Sequence, residues 1–257
     1  MTAKQFLTGS CTLALIVALA GCAQSPLEQE DTDAMISAGA DVEFIKLDNW
    51  SYDKLYELGG MRADRLMKSG VYSTGGKEIG SVANIIIDED NRAVALIAQV
   101  GGLWGIGDTP VAVPWEDVEV AGDRITVPVT EDNVESYRLF DNKHITGRNL
   151  RQTVKVEEDV ETGPRTWKLT SLLNDYATLN GGVGYGYVND VVLSHDGAIQ
   201  AVIIESASRY GIGPYAYPFY GYDQQWNPAF ETYELPYGET EVRGLEPFDS
   251  ERLDKRP

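Results

Sequence analysis

The sequence predicts a mainly β chain, two tandem small β-barrels set behind a secretory leader and a flexible tether. Three observations lead there. One segment recurs at a spacing of 106 residues, each copy holds strand-length apolar runs separated by tight-turn signals, and helical periodicity is scarce. At 257 residues with 43% apolar side chains, the chain can bury two such cores.

Residues 1–21 read as the leader. Lys4 is their only charge before a mostly apolar run from Phe6 to Ala20, and small residues close the stretch. A spanning helix needs about 20 apolar residues, and Thr8, Ser10 and Thr12 interrupt this run, so processing is expected rather than a permanent span. Leu19-Ala20-Gly21-Cys22 resembles the lipobox of bacterial lipoproteins. That resemblance implies cleavage between Gly21 and Cys22, with lipid attached to Cys22, so that membrane lipid is the first expected partner. More than one acyl chain is needed for stable anchoring. Ala23, where an aspartate would favour the inner membrane, implies the outer membrane, facing the periplasm. Residues 22–45 then form an acidic tether containing Glu28, Glu30, Asp31 and Asp33.

The repeat aligns Gly80-Ser81-Val82 with Gly186-Tyr187-Val188, Ala95 with Ala201, Ile97 with Ile203, and Trp104-Gly105-Ile106-Gly107 with Tyr210-Gly211-Ile212-Gly213. Upstream, a two-residue shift brings Val71-Tyr72 onto Asp175-Tyr176. In the first copy Val82 to Ile87 and Ala93 to Val100 are strands flanking a polar break, and in the second the break is Ser194-His195-Asp196-Gly197, a hairpin signal. Arg62 to Lys68 and Thr170 to Asn174 have room for one or two helical turns, while Arg124 to Val129 alternates as a further strand that Pro128 places at an edge or end. The expected organisation is a first domain with its lead-in over 46–145, a linker over 146–165, a second domain over 166–245 and a polar tail over 246–257. Each domain is expected to fold alone, because the segment between them is polar and charged.

Arg62 to Tyr72, Glu78-Ile79-Gly80-Ser81-Val82, Val100 to Gly107 and Val111-Ala112-Val113-Pro114-Trp115 resemble the PRC-barrel family. The second copy departs from the pattern, with Gly182-Val183-Gly184-Tyr185-Gly186 at the turn and an aromatic stretch in place of Val-Pro-Trp. The resemblance implies tandem PRC-like barrels that dock other macromolecules and carry no shared catalytic residues.

Charge and chemistry narrow the function further. With 21 Lys+Arg against 40 Asp+Glu the formal charge is -19, so no cationic stripe is available for nucleic-acid phosphates. Beyond Cys22 the chain has no thiol, and it has only two histidines, which leaves little for metal or nucleophilic chemistry. Gly105-Ile106-Gly107 lacks the third glycine and following helix of a dinucleotide fingerprint. Ser194, His195 and Asp196 are adjacent in a hairpin, where alternate side chains point apart and no relay can form. Asp88, Glu89 and Asp90 lack the spacing of a calcium loop. No catalytic residue, metal ligand or cofactor is expected, and the chain is not expected to be an enzyme.

The densest unusual feature is Tyr210 to Tyr237, ten aromatics in 28 residues, interrupted by prolines and glycines. Tyr215, Tyr217, Tyr220, Tyr222 and Trp226 are the expected partner-binding residues, since rigid aromatics give contact area at low entropic cost. The alternative for the segment is a loop that packs its rings back on the barrel. The functional expectation is a membrane-tethered, non-catalytic envelope scaffold binding another protein. Its alternative is a sensor or carrier holding a small ligand against the aromatic loop.

Overall fold

The structure, a computed structural model, describes residues 43–101, 109–137, 165–222 and 224–254. Gly21 and Cys22, the segment around Trp104 to Gly107, and the linker up to residue 164 lie outside them. The chain is mainly β, with two curled sheets of the same strand order. The first contains β2 (Gly70–Ser73), β3 (Glu78–Asp88), β4 (Ala93–Val100), β5 (Thr109–Pro114), β6 (Glu119–Ala121) and β7 (Arg124–Val127), arranged β5-β4-β3-β2-β7-β6. The second contains β9 (Tyr176–Leu179), β10 (Val183–Leu193), β11 (Ile199–Ser206), β12 (Pro214–Pro218), β13 (Trp226–Asn227) and β14 (Thr232–Glu234), arranged β12-β11-β10-β9-β14-β13.

The repeat is exact enough to explain the curl. Bulges interrupt the central hairpin at Val82/Asn84 in one sheet and Val188/Asp190 in the other, positions 106 residues apart, and each bends its long strand. The hairpin tips turn through left-handed residues at matched positions, Asn91 at φ 62° and Gly197 at φ 86°. Gly80 and Gly186 are required for a different reason: a Cβ would lie 1.9 Å from the Gln99 carbonyl oxygen in the first sheet and 2.1 Å from that of Glu205 in the second. Upstream, Val71 pairs with Gly80 as Ala177 pairs with Gly186, so the repeat holds its spacing there and the expected shift does not occur. The shift falls later, at β12. Pro214-Tyr215-Ala216-Tyr217-Pro218 takes the register of Pro110-Val111-Ala112-Val113-Pro114, with Val202 facing Tyr217 as Leu96 faces Val113.

The two expected domains are joined by an exchange of strands. β1 (Met61–Arg62), from the first repeat, pairs with β10 in the second sheet through Met61–Leu193 and Arg62–Val192. β8 (Thr166–Lys168), from the second repeat, pairs with β3 in the first through Trp167–Ile87 and Lys168–Ile86. A spacing of 106 residues maps one contact onto the other. The hairpin tips meet across the same pseudo-dyad: Arg92 bridges Ala198, Ala93 N–H donates to the Gly197 carbonyl at 2.8 Å, and Ile199 N–H donates to the Asn91 carbonyl at 2.9 Å. Trp115 lies against the tip at Gly197, where a Cβ would meet its indole nitrogen at 2.7 Å. A single apolar core therefore runs from Ile85, Leu96 and Val113 to Leu179, Val202 and Tyr217.

An ionic clasp reinforces the exchange. Asp190, fully buried at the second bulge, accepts the Arg62 Nε–H at 2.8 Å, the Asp64 N–H at 2.9 Å and the Val191 N–H at 2.8 Å. Asp64 lies in α2 (Ala63–Met67), directly after the donated strand. In the first sheet Asn84 holds the matching place, accepting the Ile85 N–H at 2.9 Å and donating to Thr170 Oγ1 at 2.8 Å.

The lead-in and tail are also placed differently from expectation. α1 (Asp53–Leu58) and α3 (Glu251–Asp254) bring Leu55, Tyr56, Phe248 and Leu253 over an outer patch of the second sheet formed by Val192, Ala201, Ile203 and Ala216. Trp50 Nε1–H donates to the Ala216 carbonyl at 2.8 Å and Phe248 N–H to that of Pro214 at 2.7 Å, which covers the exposed edge of β12. The lead-in thus serves the second barrel rather than the first. The predicted polar tail carries two core residues.

Candidate functional site

The five aromatic residues expected to bind a partner divide among three internal tasks. Tyr215 (4% exposed) and Tyr217 (0%) point into the second barrel where Val111 and Val113 point into the first. The larger Tyr217 ring meets Tyr185, whose hydroxyl bonds that of Tyr217 and is pushed up to about 12 by burial. Tyr217 goes up much further for the same reason. Trp226 (2% exposed) and the half-buried Tyr222 stack around Trp167 of the exchanged β8, at 5.6 and 4.4 Å between ring centroids, and Tyr222 N–H reaches Asn91 Oδ1 at 3.3 Å. These rings seal the junction between the repeats. Tyr220 accepts the Ile45 N–H at 2.6 Å and packs edge-on to Phe44, while Tyr237 Oη–H donates to the Ile45 carbonyl at 3.0 Å, so this pair straps down the lead-in. As a partner surface Tyr215, Tyr217 and Trp226 are therefore corrected to core.

One carboxylate is drawn into this core. Asp175, 4% exposed, accepts the Trp226 Nε1–H at 2.8 Å. Burial pushes its carboxyl up to about 6, with the indole N–H pulling the other way. The folded state then keeps a proton that the unfolded chain releases near pH 4, so the stability this group contributes is full in acid and falls as the pH rises through 6. Asp175→Asn retains an acceptor for the indole and has no charge to desolvate. It is expected to stabilise the protein by about 1–3 kcal/mol at neutral pH and to flatten the fall of melting temperature with rising pH. An unaltered pH profile in thermal melts would count against this.

The other sequence candidates resolve into structural devices. Ser194 Oγ–H donates to the Asp196 carboxylate and accepts the Ala198 N–H, and Arg92 pairs with Asp196 at 2.8 Å, so this trio ties the hairpin tips together. The Ser194 hydroxyl first and the Arg92 guanidinium second hold the Asp196 carboxyl below its usual range. Asp88 accepts the N–H groups of Asp90 and Arg92, both at 3.1 Å, and Glu89 pairs with Arg165. Among the described residues no group of three or more His, Cys, Asp or Glu side chains could hold a metal ion, and no helix is long and apolar enough to cross a membrane.

Residues 59–134 match the family model of the PRC-barrel domain. Those residues, the first repeat, correspond to a PRC-barrel domain. PRC-barrel domains are interaction modules and generally non-catalytic. The matched span starts just before β1, so this domain's first strand lies in the other barrel while β8 takes the corresponding place beside β3. No curated protein matches the chain.

What the PRC-barrel domain and its partner repeat leave exposed is elsewhere. Tyr176 on β9 and Tyr187 on β10 pair directly across the second sheet, are 41% and 56% exposed, and meet with ring centroids 5.3 Å apart at an interplanar angle of 61°. They border an open cleft of about 520 Å³ with Gly184, Glu205, Ser208 and Arg209 along its other sides. Sequence reading passed over this pair. Its signal was the substitution of two tyrosines where the first repeat has Gly70 and Ser81, visible only once β9 and β10 are set in register.

Proposed function

We propose that the chain is a membrane-tethered, non-catalytic scaffold of a bacterial envelope that binds another envelope protein, anchored through acylated Cys22 in the outer membrane and facing the periplasm. The observation that carries the interaction part is the PRC-barrel domain at 59–134. The tether part rests on Leu19-Ala20-Gly21-Cys22 and the acidic stretch behind it. The fusion of two barrels through exchanged strands supports a scaffold, because a rigid paired body presents its surface without the ordering cost of two mobile domains.

Two measurements test the reading. Cys22→Ala is expected to abolish labelling by a fatty-acid probe and to leave the leader uncut. Labelling and cleavage that persist at the same bond would overturn the anchor. In-cell crosslinking of the lipidated chain is expected to give one defined protein adduct, depleted when the lipidation cysteine is replaced. A crosslinking profile identical to that of an unrelated periplasmic control would overturn the scaffold.

A further inference from the structure

We propose that the cleft bordered by Tyr176 and Tyr187 binds a short neutral oligosaccharide, with a pyranose face lying on one of the two rings, the other ring at its edge, and its hydroxyls bonded to Glu205 and Arg209. This goes beyond the protein-partner reading and does not depend on it.

The internal repeat acts as a control for what the barrel itself requires. Tyr176 and Tyr187 face each other at the register where Gly70 and Ser81 face each other in the first sheet, so the module closes without either ring. Both rings nonetheless stand half in water, 41% and 56% exposed, where a purely structural pair would be expected to bury its apolar area. The backbone is also adapted to them. A Cβ at position 184 would lie 1.9 Å from Tyr176 Oη, so only glycine there leaves the ring in its place, and the first repeat has Glu78 at the matching position. Gly186 is different, since its counterpart Gly80 meets the same backbone constraint in the first barrel.

Polar groups border the platform in matched number. Glu205 on β11 is the direct cross-strand neighbour of Tyr187, and it is exposed. Arg209 is fixed by donation from Nη2 to the Gly184 carbonyl at 2.6 Å and by its position over the Tyr210 ring at 4.8 Å, which orients the planar guanidinium with further N–H donors to offer. One carboxylate acceptor and one guanidinium donor beside an aromatic floor suit a ligand with many hydroxyls and no net charge. An anionic ligand would meet Glu205 and a chain of formal charge -19. A proline-rich peptide wants a slot between aromatic ridges, whereas these rings meet edge to face at 61°, with centroids 5.3 Å apart, and leave no slot between them. The cleft is of ligand size, about 520 Å³, and open to solvent on one side, as suits a sugar that keeps its outer hydroxyls hydrated.

The test titrates the full chain with chitotetraose, cellotetraose and maltotetraose by isothermal calorimetry. At least one is expected to bind with a Kd on the order of 0.1–1 mM, and Tyr176→Ala with Tyr187→Ala to weaken it at least about tenfold. Tyr187→Ser, which copies the first repeat and leaves its fold undisturbed, is expected to weaken it in the same direction, while Tyr176→Phe retains binding. Tyr72→Ala, in the first barrel, should leave affinity unchanged. Absence of heat with all three sugars, or affinity indifferent to both Tyr187 variants, would overturn the proposal. So would binding of a polyproline peptide that the same variants abolish in place of sugar. None of these results bears on the crosslinking experiment, so failure here is distinct from failure of the scaffold reading.

Discussion

Asp190→Ala is expected to cost about 3–5 kcal/mol of stability, because it removes one partner of a buried ion pair and leaves the other in place. Asp190 is fully buried, and three donors converge on it from 2.8 to 2.9 Å. Two of them, Arg62 Nε–H and Asp64 N–H, belong to the segment that crosses from the first repeat. Losing the carboxylate therefore removes the shortest ion pair of a guanidinium that is only 19% exposed, leaves it the Asp64 carboxylate at 3.6 Å, and weakens the hold on β1. Burial pushes the Asp190 carboxyl up, and the N–H donors and Arg62 oppose that shift. Asp190→Asn should be milder, about 1–2 kcal/mol. The first sheet already uses Asn84 at the matching bulge, where the amide accepts a backbone N–H in the same way. Urea unfolding of the two variants separates the contributions. Equal losses would show that the charge is immaterial, and a loss under about 1 kcal/mol for alanine would remove the clasp from any account of stability.

The first repeat excised as 43–137 is expected to show no cooperative unfolding transition, since the cut takes away β8 and both partners of the hairpin tip. In the intact chain β3 pairs with residues 166–168, and Ala93 N–H donates to Gly197. Met61 and Arg62 have their strand partner only in β10. The fragment would expose Ile87, Ala93 and Trp115, all part of the continuous core. Mixing it with a fragment of 165–254 is expected to restore a single shared transition, readable by far-ultraviolet circular dichroism. A sharp, concentration-independent melt of 43–137 alone would show that the exchange is dispensable.

Much of the barrel was legible in the sequence. Strict repetition exposed the two copies, the apolar runs gave β3, β4, β10 and β11, and the polar breaks gave the hairpin tips. Those are local signals, set by turn chemistry and alternation. The exchange was not legible, because Arg62 and Asp190 lie 128 residues apart and no periodicity joins them. The aromatic segment misled for a related reason. Ring density reports an apolar excess, and only register decides whether a ring points inward. The usable clue was the match of Pro214-Tyr215-Ala216-Tyr217-Pro218 to Pro110-Val111-Ala112-Val113-Pro114, offset by two residues from the rest of the repeat. Read that way, tyrosines replace core valines. The polar tail was misjudged on average composition, which hides Phe248 and Leu253 among acids.

The exchanged strands also dictate an order of events during biogenesis. Synthesis delivers the chain from its N-terminus, so the first repeat emerges with its donated strand lacking an acceptor and its own β3 edge open. That edge stays unpaired until residues 166–168 arrive, and Arg62 waits for a carboxylate 128 positions downstream. Contacts of such long range make closure slow relative to a barrel built from neighbours. An open β edge during that interval is a template for pairing with another nascent copy. A chain stalled after its first repeat is thus the species most prone to aggregate, and completion of the second repeat is what closes the paired body.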